Sequence, residues 1–173
     1  PSLQAPWYVV LGNHDYEGSP GAEVAYSSRS SRWRMPARYW AEEMNVGEER
    51  ATFYFLDTTP IARLGNAAAH VPLLGTSDEA RTQLQWFEER LAADRAAWKI
   101  VVGHHPILSS GNHGEAPAVV ERVKPLLERY GVQAYFNGHE HDLEHLVDRG
   151  VHYVCSGSGA ASRQVVAVPQ SQF

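Results

Sequence analysis

Five of the nine histidines in this 173-residue sequence fall in three short windows: Gly12-Asn13-His14-Asp15, Gly103-His104-His105-Pro106 and Gly138-His139-Glu140-His141. Imidazole nitrogens together with an amide oxygen are borderline donors, which suit zinc, manganese or iron better than calcium or magnesium. His139 and His141 stand two residues apart. On a strand that spacing puts both on one face; in the turn after a strand it lets them diverge toward two neighbouring ions. Two ions about 3.5–4 Å apart are the arrangement used for in-line displacement at phosphorus. One such window alone is ordinary turn chemistry, because Asn, Asp and Gly are favoured turn residues. Three windows, each directly after a run of β-formers, make a convergent pattern.

The elements that must position these windows read as alternating strands and helices. Trp7-Tyr8-Val9-Val10-Leu11, Thr52-Phe53-Tyr54-Phe55-Leu56, Trp98–Val102, Val132-Gln133-Ala134-Tyr135-Phe136 and Val151-His152-Tyr153-Val154 are continuous apolar runs closed by turn residues. Such runs suit strands buried on both faces. Between them, Ala80, Leu84, Phe87 and Leu91 recur at helical spacing behind Ser77, with Asp78 and Glu79 in the favourable first turn. A second helix is expected over residues 117–130, with Val120, Val123 and Leu127 as its stripe, a bend at Pro125 and Gly131 as its stop. A shorter one is expected over 23–32. The stretch 58–76 reads as a long functional loop. Strands alternating with helices of this length predict an α/β fold, in which ligand residues gather just past the carboxyl ends of the strands.

Other features carry less. His70 and His145 read as surface residues, and His152 as an outward position on its strand. Trp86-Phe87 reads as core packing and Glu88-Glu89-Arg90 as a solvated helix face. Fifteen Lys and Arg against twenty Asp and Glu give a net charge of −5. No basic run interrupts that balance, which argues against a nucleic-acid partner. No stretch approaches the ~18 consecutive apolar residues of a membrane span. The single Cys155 excludes an internal disulfide framework. The opening at Pro1, and an ending soon after the strand-like run at 165–168, lead us to expect one domain over 1–173 that is incomplete at both ends.

Gly-Asn-His-Asp, Gly-His-His-Pro and Gly-His-Glu-His resemble the third, fourth and fifth blocks of the calcineurin-like metallophosphoesterases. The segments between them resemble the small, tartrate-resistant type of purple acid phosphatase: Ala25-Tyr26-Ser27 to Arg32-Trp33, Ala80-Arg81-Thr82-Gln83-Leu84-Gln85-Trp86, Asn112-His113-Gly114, and Lys124-Pro125-Leu126-Leu127-Glu128-Arg129-Tyr130-Gly131-Val132. The resemblance reaches to about Gly159. It implies an α/β/β/α sandwich with the site at the carboxyl ends of the strands. It also implies two metal ions, Fe(III) beside a divalent Fe, Zn or Mn. Asn13, His104 and His139 would hold the divalent ion and His141 the ferric one, while His14 and His113 would orient substrate and assist the leaving group. Asp15 would either hold the His14 ring or serve the turn.

The implied reaction is hydrolysis of a phosphate monoester on a small molecule or a phosphoprotein, with a phosphodiesterase or nucleotidase of the same superfamily as the alternative. A metal-binding piece without turnover is the rival from another class. The family's first two blocks supply an Asp, a bridging Asp and a Tyr upstream of the strand at Trp7, and this sequence starts after them. The fragment alone is therefore expected to have little activity. Asp57 matches a family Leu-Asp-Thr segment that is not a ligand, so it is not assigned to the metal. A secreted or periplasmic location follows from the resemblance alone.

Overall fold

The computed structural model describes residues 4–64, 77–159 and 161–172. In chain order the elements are β1 (Trp7–Tyr8), a 3₁₀ turn (His14–Glu17), α1 (Pro20–Tyr26), β2 (Trp33–Arg34), β3 (Trp40–Val46), β4 (Glu49–Phe55), α2 (Thr58–Ala62), α3 (Ser77–Ala93), β5 (Trp98–Val102), α4 (Pro117–Arg129), β6 (Ala134–Asn137), β7 (Leu143–Asp148) and β8 (Val151–Ser156).

Six strands form one mixed sheet in the order β3-β4-β5-β6-β8-β7. Its four central strands run parallel, and antiparallel hairpins close both edges. The β3–β4 turn passes through Gly47 at φ +64°, and the β7–β8 turn through Arg149 and Gly150, both at positive φ. Left-handed residues of this kind match the twist of the strands they join.

Strand alternation divides the apolar residues between two faces. Tyr54, Val101, Tyr135 and Tyr153 point to one side and pack with Phe87 and Leu91 of α3 and Val119, Val123 and Leu127 of α4. This is the main core, and each of those side chains is buried. On the other side Phe55, Val102, Phe136 and Val154 stand in register across four strands. There the two-stranded parallel ribbon β1–β2 lies against the sheet, with the Tyr8 ring stacked 5.8 Å from Phe55 and 6.0 Å from Trp40. Val24 of α1 packs on the ribbon's own small cluster of Leu11, Tyr16 and Met35. The layer order helices–sheet–ribbon–helix follows the α/β architecture expected from the sequence.

Several elements differ from expectation. The first strand is only Trp7–Tyr8, and its Trp7 is 53% exposed because a two-stranded ribbon has too little neighbouring sheet to bury it. The short helix is Pro20–Tyr26, starting earlier because Pro20 suits a first helical turn and ending well before residue 32. Thr58–Ala62 is helix rather than loop: Asp57 caps it, its carboxylate accepting from the Thr59 N–H at 3.3 Å. Residues 65–76, with His70, lie outside the described residues. The run at 165–168 forms no strand, although Ser171 bridges to Leu146. Glu88 is not simply solvated, since it accepts from Arg129 (3.1 Å) and from the Tyr130 hydroxyl (3.2 Å) at the end of α4. Among the described residues no helix is long and apolar enough to cross a membrane.

Candidate metal centre

Parallel strands β5 and β6 are neighbours, so the loops leaving their carboxyl ends emerge side by side. The first carries His104 and the second His139. Asn13 arrives from the ribbon side, opening the 3₁₀ turn. An Asn at that position ordinarily caps the turn with its side chain; here it makes no capping bond. Instead its Oδ1 lies 2.8 Å from His104 Nε2 and 3.2 Å from His139 Nδ1, and those two nitrogens are 3.1 Å apart. Three donor atoms thus form a nearly equilateral triangle. Adjacent ligands bonded at about 2.1 Å to one ion are separated by about 3.0–3.4 Å, so the triangle matches the face of a coordination polyhedron. A carboxamide oxygen with two imidazole nitrogens suits a borderline divalent ion.

Close approach is built into the backbone. A Cβ on Gly12 would stand 2.9 Å from both Cε1 and Nδ1 of His104, so glycine lets the ribbon bring Asn13 against that ring. His139 adopts φ +68°, a left-handed conformation uncommon outside glycine. That strain turns its ring toward His104 as the strand ends.

Burial tunes the imidazoles for lone-pair donation. It pushes His104 down to about 4, with further depression from the neighbouring His139. His139 is lowered for the same first reason, and then by His113. Neutral rings at ordinary pH are the form a metal requires.

The other expected residues are placed as follows. The His113 ring lies 5.1 Å from that of His139, beside the triangle rather than in it. His14 is on the surface, its Nδ1 2.8 Å from Glu17, and Asp15 serves the turn by accepting from the Gly12 N–H at 2.7 Å. His141 does not join the triangle, and its carbonyl accepts from the Arg163 N–H at 2.7 Å. Asp57 is buried in a structural role, receiving the Tyr16 hydroxyl, while its backbone exchanges two 2.9 Å bonds with Gln83 of α3. Burial raises its carboxyl to about 6. His152 is outward, as expected, and pairs with His145 at 2.9 Å.

Three contributors escaped the sequence reading. His105 is buried, with its ring 4.6 Å from that of His139, and its ligand-capable nitrogen lies within 4.8 Å of those of His104 and His139. Burial pushes it down to about 3. Thr58 Oγ1 accepts from the His104 N–H (3.2 Å) and the His105 N–H (3.0 Å), and lies 2.9 Å from His105 Nδ1. With its lone pairs taken, the hydroxyl donates to Nδ1, which puts the His105 ring proton on Nε2. Thr58 therefore fixes the ligand loop from below. Glu140, fully buried between His139 and His141, reaches across to accept from the backbone N–H groups of His113 and Gly114. It holds the loop that carries His113. Glu140 stands inside the Gly-His-Glu-His window, but nothing in its type foretold that contact.

A family model for calcineurin-like phosphoesterases matches residues 1–143. Tartrate-resistant acid phosphatase type 5 of Mus musculus is 40% identical over 161 residues, covering 89% of this chain and 49% of that protein. The Homo sapiens protein of that name is 37% identical over 173 residues, covering 90% and 50%. Purple acid phosphatase 17 of Arabidopsis thaliana is 35% identical over 170 residues, covering 92% and 49%. The chain spans about half the length of the curated relatives it matches. Among solved structures, GAP50, described as the anchor in the inner membrane complex of Plasmodium, superposes with a TM-score of 0.81 at 24% identity over 97% of this chain and 54% of that one. A purple acid phosphatase from yellow lupin seeds gives 0.59 at 20% identity, over 98% of this chain and 32% of that one. These structural likenesses bear on the fold alone.

Proposed function

Because the chain belongs to the calcineurin-like phosphoesterases, we propose that it is the metal-holding part of a binuclear phosphatase that hydrolyses phosphate monoesters, on small molecules or phosphoproteins, outside the cytoplasm. The observation that carries this reading is the triangle of Asn13 Oδ1, His104 Nε2 and His139 Nδ1, with sides of 2.8–3.2 Å. The names of the relatives support acid phosphatase chemistry.

Asn13, His104 and His139 would hold a divalent Fe, Zn or Mn, and His141 would hold Fe(III) on the far side. Two ions bound there would supply Lewis-acid activation of water and neutralise charge at phosphorus. The chain's own residues do the rest. Thr58 and buried His105 keep the ligand loop in place. Glu140 holds the backbone of His113, so that its ring would stand beside bound ions without being a ligand to them. An ester oxygen leaving phosphorus needs a proton, and an imidazole in that position delivers one. His14, exposed at the same edge, serves to orient the substrate.

The test is hydrolysis of a chromogenic phosphate monoester at mildly acidic pH with iron and zinc added. This chain is compared with a longer version carrying the upstream Asp, bridging Asp and Tyr. The longer protein should turn over and the chain alone should be nearly inert, because His141 and water cannot retain a ferric ion. Equal turnover would show the ligand count to be wrong. In the longer protein His113→Ala should lower kcat far more than metal content; stoichiometric metal loss would instead make His113 a ligand.

A further inference from the structure

Arg163 lies in no motif, yet the fold delivers it to the metal edge. The segment 161–172 runs back along β7, where Val147 N–H donates to Gln170 C=O and Gln172 N–H to His145 C=O, both at 2.9 Å. Before reaching β7 the segment is tied to the site by the Arg163 N–H, 2.7 Å from the carbonyl of His141. From that anchor the side chain crosses the rim and places Nη1 2.7 Å from Nε2 of His113. The His113 ring in turn stands 5.1 Å from His139.

The contact has a definite proton arrangement. Guanidinium only donates, so Nε2 of His113 presents a lone pair to it and the ring proton sits on Nδ1. A neutral imidazole nitrogen engages one arm of a planar fork built to grip two oxygens. Phosphate oxygens match the fork with paired, charge-assisted bonds and displace the weaker partner.

We propose that Arg163 is a phosphate-gripping residue of this site, leaving His113 for the non-bridging oxygens of a dianionic phosphate monoester. This rests on the phosphatase reading above and adds the substrate's charge state. A diester has lost one of those charged oxygens to its second ester link and gives the guanidinium less to hold.

Two measurements test this. The first needs no turnover: inorganic phosphate is titrated calorimetrically into the zinc-loaded chain. Arg163→Ala should weaken binding about tenfold or more, as loss of hydrogen bonds to a charged group implies, with zinc content and thermal midpoint unchanged. Arg163→Lys, which keeps the charge but not the fork, should recover part of the affinity. Binding by Arg163→Ala within twofold of the parent sequence overturns the proposal. The second uses the longer protein with 4-nitrophenyl phosphate and bis(4-nitrophenyl) phosphate. Arg163→Ala should raise KM for the monoester about tenfold and change kcat and the diester KM little. Equal rises in KM for both esters overturn the assignment of substrate charge. If the parent sequence hydrolyses neither ester, the phosphatase reading fails, and the phosphate titration still decides what Arg163 binds.

Discussion

Replacing Thr58 by valine removes one hydroxyl and leaves the shape of a fully buried side chain nearly unchanged. The hydroxyl serves three atoms: the N–H groups of His104 and His105 at 3.2 and 3.0 Å, and Nδ1 of His105 at 2.9 Å. The His104 amide is only partly buried, so water can replace its partner. The two His105 atoms are buried and would be left unsatisfied, at about 1–3 kcal/mol each. We therefore expect Thr58→Val to cost about 2–6 kcal/mol, a large share of a typical net stability of about 5–15 kcal/mol. Thr58→Ser deletes only a methyl group and should cost about 1 kcal/mol. Urea unfolding of the metal-free chain measures both. Because the same hydroxyl orients the His104 loop, zinc affinity should fall about 10–100-fold in the valine variant and much less in the serine variant. A valine variant as stable as the serine variant, or one that binds zinc as tightly as the parent sequence, would refute this account of the loop.

Two further predictions follow from buried groups. Asp57 rises to about 6 in the fold from 3.8, so its protonated form is the one the fold favours. Its contribution is complete below about pH 4 and is lost as pH rises through 6, at most about 2–3 kcal/mol in all; Asp57→Asn should abolish that slope in urea midpoints taken from pH 4 to 7. His104 and His105, held down near 4 and 3, act in the opposite sense, losing stability as pH falls below about 6.5, so the slope must be read as the difference between the two proteins. A Cβ at Gly111 would lie 2.6 Å from Asp142 Oδ2 and from Glu140 Cδ. Gly111→Ala should therefore push Glu140 off the 109–115 loop, destabilise the protein by about 1–3 kcal/mol and speed amide exchange at His113 and Gly114; unchanged exchange would show that Glu140 does not hold that loop.

Much of this architecture was legible in the sequence for physical reasons. β5, β8, α3 and α4 have apolar residues whose period matches their element, and α4 stops at Gly131 with φ +65° as a left-handed terminator should. The three ligand windows were visible because glycine and ligand types coincide at strand ends. β3 was missed because Glu42, Glu43 and Asn45 dilute its pattern, as befits an edge strand with one solvated face. β7 was missed because the buried Glu144 breaks its alternation; that carboxylate is buried to receive the N–H and hydroxyl of Ser110. Trp7–Leu11 has the composition of a central strand, but composition does not say how many neighbours a strand will have. Thr58, Glu140 and Arg163 act through contacts 46, 27 and 50 residues distant in sequence, to His104, His113 and His113 respectively. No local pattern encodes them.

The triangle of donors also has a history in time. Its sides join residues 91, 126 and 35 positions apart, so no early, local piece of the chain contains a usable fragment of it. Closing such long loops is slow and is rewarded only when β5, β6 and the ribbon are already docked. A metal held by this triangle would thus meet a finished protein rather than template one. Its binding energy would enter after the folding barrier and deepen the native well without lowering the climb into it. An ion arriving so late would act as a latch: it would lengthen the life of the folded state by slowing escape and leave the rate of folding where the bare chain set it.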